Sequence, residues 1–207
     1  MSRHFMGTLE SHYLVQEFSH RVVNEYTEAI STLSLAAASN ADLPIRLALR
    51  AAAVRLRAFA NAHRALQVPL TQEPLNLASY VTQLCACVSE ARLAERRIML
   101  TVRADDILLD PERCWRVGLI LAELVTNASR HGLCGRPGAI DVEIAEQDGA
   151  VICRVCDDGR GVPGRPGRGS RIVQGLAAEL GGTVAWHFAT GGCTARLEFP
   201  LASLSCG

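Results

Sequence analysis

Glu123-Leu-Val-Thr-Asn127-Ala-Ser-Arg130-His131-Gly132 decides how this chain is read. It closes an otherwise apolar run, Arg116-Val-Gly-Leu-Ile-Leu-Ala122, and its polar residues recur at helical spacing. Glu123, Asn127 and His131 stand at i, i+4 and i+8, so a regular helix from about Pro111 to Arg130 stacks them on one face. Leu121, Leu124, Val125 and Ala128 point elsewhere. An acid, an amide and a base along one stripe can also be a solvated helix face. The rest of the chain has to decide between the two.

Working outward, the 207 residues suffice for one large domain or two small ones. With 49% hydrophobic and 20% charged residues a packed core is expected rather than disorder. Lys plus Arg and Asp plus Glu both number 21, and a formal net charge of zero gives no support for nucleic-acid or membrane-surface binding. No apolar run approaches a membrane span, and Met1-Ser-Arg-His-Phe-Met-Gly7 lacks a signal-peptide core. The chain therefore reads as soluble and cytoplasmic. Its eight cysteines are expected as free, mostly buried thiols. Cys153 and Cys156 lie in an alternating run, where residues three apart face opposite sides and share a metal poorly.

Upstream, Leu14, Phe18, Val22, Tyr26, Ile30 and Leu33 mark a helix from about Ser11 to Ser39. Asn40-Ala-Asp42-Leu-Pro44 breaks it and supplies an N-cap and a first-turn proline for a second helix, to about Gln67. Two long helices and a short turn form an antiparallel hairpin, with Leu49, Ala53, Leu56, Phe59 or Ala60, His63 and Leu66 along its second stripe. A hairpin alone has little core, so a second copy is expected to complete a dimeric four-helix bundle. His63 falls on the stripe. His20 lies about 200° around the helix from Phe18 and faces water, where another domain can reach it.

Val68-Pro-Leu-Thr-Gln-Glu-Pro74 reads as a linker. Beyond it the pattern gives a helix (about 77–95), a strand (97–102), the opening helix, and paired strands 139–146 and 150–156 around Gln147-Asp148-Gly149. A helix follows (171–180), then strands 182–188 and 193–199. The expected class is α+β: a helical hairpin (1–67), the linker (68–74) and a two-layer α/β sandwich with a mainly antiparallel sheet (75–207).

In that sandwich three features converge: the helix stripe, Asp157-Asp-Gly159-Arg-Gly161 at a strand end, and Gly167-Arg-Gly169-Ser170 opening a helix. Each suits a purine nucleotide with Mg²⁺. A carboxylate at a strand end can accept from an exocyclic amine, with Gly159 and Gly161 permitting close approach. Glycines before a helix offer backbone N–H groups to phosphate. The Asn127 oxygen suits Mg²⁺, Arg130 and His131 add positive character, and Glu123 could orient or deprotonate a nucleophile.

These three segments resemble the N box and the two glycine boxes of sensor histidine kinases, within the GHKL ATPase superfamily. The histidine at His131 is similar to the HWE-related subfamily, although the Trp-x-Glu signature of the HWE group proper is missing before Asp157. Glu17-Phe-Ser-His20-Arg-Val-Val-Asn24 resembles that family's phosphoacceptor box. The resemblance covers about residues 11–200. It implies that His20 is phosphorylated from ATP, with Glu17 accepting its second ring proton. It further implies Asn127 as Mg²⁺ ligand, Asp157 as the adenine-reading carboxylate, and Gly159, Gly161, Gly167 and Gly169 as shapers of the pocket. The implied partners are a second copy, a response-regulator receiver domain that takes the phosphoryl group on Asp, and a separate sensory protein.

The chain departs from that pattern at Val162–Pro166, a shorter lid between the glycine boxes than such kinases carry, and at Val23 and Glu25 in the phosphoacceptor box. Two other readings therefore stand beside the kinase: an ATP-independent dimeric histidine phosphotransferase, and a nucleotide-binding scaffold or sequestering partner. Asn127 and Asp157 matter only where nucleotide binds.

Overall fold

The computed structural model describes residues 2–162 and 167–201, with side chains described from Arg21 onward. Glu17 and His20 thus lie on a described helix, but their side chains fall outside the described residues, as do residues 163–166 of the loop between the glycine boxes. The chain forms two compact units, Met1–Val68 and Pro69–Gly207.

The first unit is a helical hairpin of α1 (Ser2–Ser39) and α2 (Leu43–Ala65). Helix α1 starts nine residues before the position that apolar spacing predicts; residues 2–10 contain no proline, and Gly7 is the one poor helix former among them. The turn is chemically specified. The Asn40 Oδ1 accepts the Asp42 N–H (2.9 Å), and the Asp42 Oδ1 accepts the Ile45 N–H (3.2 Å), capping α2 just ahead of Pro44. Val23, Ala37, Ala53, Ala58, Ala60 and Ala62 are buried between the helices. Tyr26, Ile30, Leu33, Leu49 and Leu56 of the two stripes stay half-buried. Burial lowers the His63 pKa.

The second unit is a five-stranded sheet with three helices on one face. Strands β2 (Ile98–Ala104), β4 (Gly138–Gln147), β5 (Ala150–Asp157), β6 (Thr183–Ala189) and β7 (Gly192–Pro200) stand in the order β2-β4-β5-β7-β6. Only β2 and β4 run parallel; the other neighbours are antiparallel. Gln147 pairs with Ala150, and Asp148 (φ 51°) and Gly149 (φ 75°) both take left-handed backbone, the two-residue turn that matches strand twist. A two-residue ribbon, β1 (Leu75–Asn76) with β3 (Leu108–Leu109), was not expected. It feeds α3 (Leu77–Val88), capped by the Asn76 side chain, and α4 (Pro111–Asn127), capped by Asp110. Helix α5 (Arg168–Glu179) completes the layer.

Register defines the core. Ile140, Val142 and Ile144 of β4 lie opposite Asp157, Val155 and Cys153 of β5, which in turn face Cys193, Ala195 and Leu197 of β7. All of these except Asp157 and Cys193 are buried apolar residues turned towards the helices, on the side of Val117, Leu121, Leu124, Val173 and Ala177. Asp157 is thus the last member of an apolar row. The opposite face carries exposed ion pairs, such as Arg154–Glu143 (3.2 Å). Across the helix layer, Arg116 joins Glu112 and Glu179 (both 2.8 Å), tying α4 to the last turn of α5.

Two helix ends differ from the sequence reading. The sequence pattern predicts α3 to about Glu95, but after Val88 the chain widens into a π-helical turn (Ser89–Leu93) and then tightens into a 3₁₀ turn (Ala94–Arg96), ended by Arg97 at φ 55°. The same pattern predicts α4 as regular to about Arg130. It ends at Asn127 and passes into a π-helical turn over Ala128–Gly132.

Candidate functional site

Asp157 is the only charged member of its core-facing row, so burial pushes its carboxyl above the usual range. Backbone N–H groups of Gly159 (3.0 Å to Oδ1) and Cys193 oppose that shift by stabilising the ionised form, and the neighbouring Asp158 adds to it. The Cys193 thiol beside it is pushed to about 11, by its own burial first and then by the charges of Asp157 and Cys156.

The π turn gives this carboxylate a wall made of backbone. Its wide bond, the Leu133 N–H to the Ala128 carbonyl (2.8 Å), unwinds the chain after Asn127 and lays Gly132 on Asp157. A Cβ on Gly132 would stand 2.6 Å from the Asp157 carboxyl carbon. The Gly132 carbonyl accepts the Arg160 N–H (3.1 Å), and Gly159 is buried because its Cα packs on the same Gly132 carbonyl. Gly161, at φ 61°, packs on the Ala189 carbonyl. The two glycines after Asp157 therefore have packing reasons of their own, whatever approaches the backbone. With the helix unwound, Glu123 and Asn127 keep the stripe spacing, while Arg130 and His131 are exposed beyond it.

At the other end of the stripe, the half-buried Glu123 carboxylate lies against Gly169 in the first turn of α5. That helix starts at Arg168 rather than Arg171, after Gly167, and has no side-chain cap. A carboxylate there meets the positive end of the helix. Ser170 is partly buried in the same turn. Asn127 sits between Glu123 and the Gly132–Asp157 contact, so α4 spans both glycine segments. Gly167 and Gly169 are not equivalent, since a Cβ on Gly167 meets nothing within 4 Å whereas one on Gly169 collides with Glu123. Gly167→Ala is expected to leave nucleotide affinity within about twofold, and Gly169→Ala to weaken it about tenfold by displacing Glu123, with little change in melting temperature because a flexible side chain yields first. Titration calorimetry on both variants checks this.

Asn127 offers one neutral oxygen. Among the described residues no cluster of three or more His, Cys, Asp or Glu side chains could hold a metal unaided. That donor set fits Mg²⁺ held mainly by phosphates and water. The sequence reading did not single out Gly132, Cys193, or two arginines behind the wall, Arg92 and Arg96, which reach Thr126 and Ser129. One buried hydroxyl at the end of α4 and one in the π turn are the available signal, since buried hydroxyls need partners. No helix among the described residues is long and apolar enough to cross a membrane.

Comparison with known proteins identifies the family and the fold. A histidine kinase family model matches residues 17–92, and a histidine kinase-like ATPase domain model matches residues 87–183. Blue-light-activated histidine kinase 1 of Erythrobacter litoralis is 29% identical over 157 residues, 71% of this chain and 42% of that protein. Blue-light-activated histidine kinase 2 of the same organism is 26% identical over 205 residues, 90% of this chain and 56% of that protein. The chain thus spans about half the length of these curated relatives. Among solved structures, the histidine kinase domain of the Erythrobacter litoralis EL346 blue-light activated kinase superposes with a TM-score of 0.60 at 22% identity, covering 85% of this chain and 96% of that one, which shows a shared fold. The chain belongs to the histidine kinases, with a GHKL-type ATPase domain following a helical hairpin.

Proposed function

We propose that this chain is the ATP-dependent kinase core of a two-component system, which phosphorylates itself on His20 and passes the phosphoryl group to an Asp of a response-regulator receiver. The observation that carries this reading is the convergence on α4 and the π turn that follows it: Glu123 on the first turn of α5, Gly132 on the Asp157 carboxylate, and Asn127 between them. Asp157 reads the adenine amine, Asn127 holds Mg²⁺, Gly167–Ser170 at the start of α5 faces the phosphates, and Arg130 and His131 add positive character beside them. Bound Mg²⁺ supplies neutralisation of the phosphate charge, which dominates this chemistry together with positioning.

Residues 1–67 act as the dimerisation and phosphoacceptor hairpin, 68–74 as linker and 75–207 as the catalytic domain. The half-covered stripes of α1 and α2 support a second copy closing a four-helix bundle. Motion about the linker brings the γ-phosphate to His20. The neutral imidazole bonds to the γ-phosphorus as the bond to the β–γ bridging oxygen breaks, ADP leaves, and Glu17 takes the second ring proton.

The test is incubation with γ-labelled ATP and Mg²⁺. The label should enter the protein, survive alkali, be lost in acid and map to the His20 peptide. Label on another residue type sinks the proposal. Absence of nucleotide binding combined with uptake from a phosphorylated receiver makes the chain a phosphotransferase.

A further inference from the structure

Thr126 and Ser129 are the buried polar side chains among the described residues, and each is met by an arginine from outside α4. Arg92 Nη1 donates to Thr126 Oγ1 (3.1 Å), whose own hydroxyl donates to the Ala122 carbonyl (2.7 Å). Arg96 Nη1 donates to Ser129 Oγ (3.3 Å). Both arginines come from the widened and tightened turns that follow α3, Ser89–Leu93 and Ala94–Arg96. The two hydroxyls lie behind different parts of the wall. Thr126 is in the last regular turn of α4, next to Asn127. Ser129 is inside the π turn, three residues before Gly132.

A π turn is rare beside an α turn and persists where its surroundings specify it. Here the Leu133 N–H to Ala128 carbonyl bond and the weaker Gly135 N–H to Ser129 carbonyl bond (3.4 Å) close it from within. Arg96 reaches the Ser129 hydroxyl from behind. An arginine suits the task because its planar guanidinium stays charged and presents donors in fixed directions.

We propose that Arg92 and Arg96 are positioning residues that set the two ends of the nucleotide wall separately. Arg92, through Thr126, fixes the orientation of Asn127 and so the metal–phosphate end. Arg96, through Ser129, fixes the π turn that holds Gly132 on Asp157, and so the base end. The inference rests on the nucleotide reading of the site. Neither arginine touches the reacting atoms in that reading.

The test compares adenosine with Mg-ATP on the full chain, by calorimetry, for wild type, Arg92→Ala and Arg96→Ala, with melting temperatures alongside. Arg92→Ala should weaken Mg-ATP about tenfold and adenosine less than about twofold, whereas Arg96→Ala should weaken both about tenfold. Adding Ser129→Ala to Arg96→Ala should cost nothing further, as expected for two members of one contact. Equal loss of both ligands in both variants, or losses that simply follow the melting temperature, overturns the proposal. Amide exchange of the ligand-free protein supplies an independent arm. Arg96→Ala should speed exchange at Leu133 while Arg92→Ala leaves it unchanged, and unaltered exchange in Arg96→Ala overturns the brace. Should wild type bind neither ligand, the nucleotide reading falls, and the Leu133 amide still decides whether Arg96 holds the turn.

Discussion

Asp157→Asn is expected to lower Mg-ATP affinity by about 100-fold or more while leaving the protein at least as stable at pH 7. The first half follows from where the donors sit. The Gly159 N–H donates to Oδ1 and the Cys193 N–H also donates to this carboxylate, so an asparagine keeps its single oxygen on these backbone donors and turns its NH₂ group away from them, to the pocket. A donor then faces the donor of the exocyclic amine, and a buried polar pair is left unmatched. The second half follows from the direction of the Asp157 shift. Burial dominates and raises its pKa, so the folded protein carries a desolvation cost for the ionised carboxyl that the unfolded chain does not. A group whose folded pKa is raised in this way costs stability at high pH, and that cost fades as pH falls through the raised pKa towards the ordinary carboxylate value. Asparagine never bears the cost. Any stability advantage of the variant should therefore be largest near neutrality and vanish in acid. Calorimetric titration and denaturant melts from pH 7 to 4 measure both halves. A variant that binds normally, or that loses binding only by unfolding, would remove Asp157 from the base-reading role.

Much of this arrangement was legible because it rests on short-range rules. The Asp42 cap, the Asp148-Gly149 turn and the strand alternation each act within a few residues, and the structure places them where the spacing put them. The row Val151, Cys153, Val155, Asp157 even shows a carboxylate arriving on the core face, which a structural residue has little reason to do. What the sequence could not show was set by long-range contact. Ala128–Gly132 has the composition of an ordinary helix end, and it becomes a π turn against Arg96 from behind and Asp157 from the front. The two-residue strands β1 and β3 carry no period at all. The parallel pairing of β2 with β4 requires a crossover through α4 that alternation within either strand does not encode. Glu17 and His20 were singled out from the sequence alone, and their side chains fall outside the described residues.

Gly159→Ala is the second substitution with a large expected effect, and it acts by a different route. The added methyl group would fall on the carbonyl carbon and oxygen of Gly132 and 2.6 Å from the Asp157 Oδ1. Unlike the Gly169 case, the obstacle is backbone held from several sides. The Gly132 carbonyl is tied to the Arg160 N–H, and the π turn is closed by its own bonds. Relief therefore requires the β5 end and the π turn to separate, which opens the wall at its base-reading end. We expect a stability loss of about 1–3 kcal/mol, typical of overpacking in a tight contact. We also expect loss of detectable adenosine and Mg-ATP binding even at temperatures where the variant is fully folded. Circular dichroism melts and calorimetry separate the two effects. Gly175→Ala in the middle of α5, where a Cβ meets nothing within 4 Å, is the matched control and should not weaken the fold. If Gly159→Ala bound nucleotide as well as that control, the contact between Gly132 and the strand end could not be what shapes the site. The wall would then have to be built by the exposed groups, Arg130 and His131, that the π turn leaves outside it.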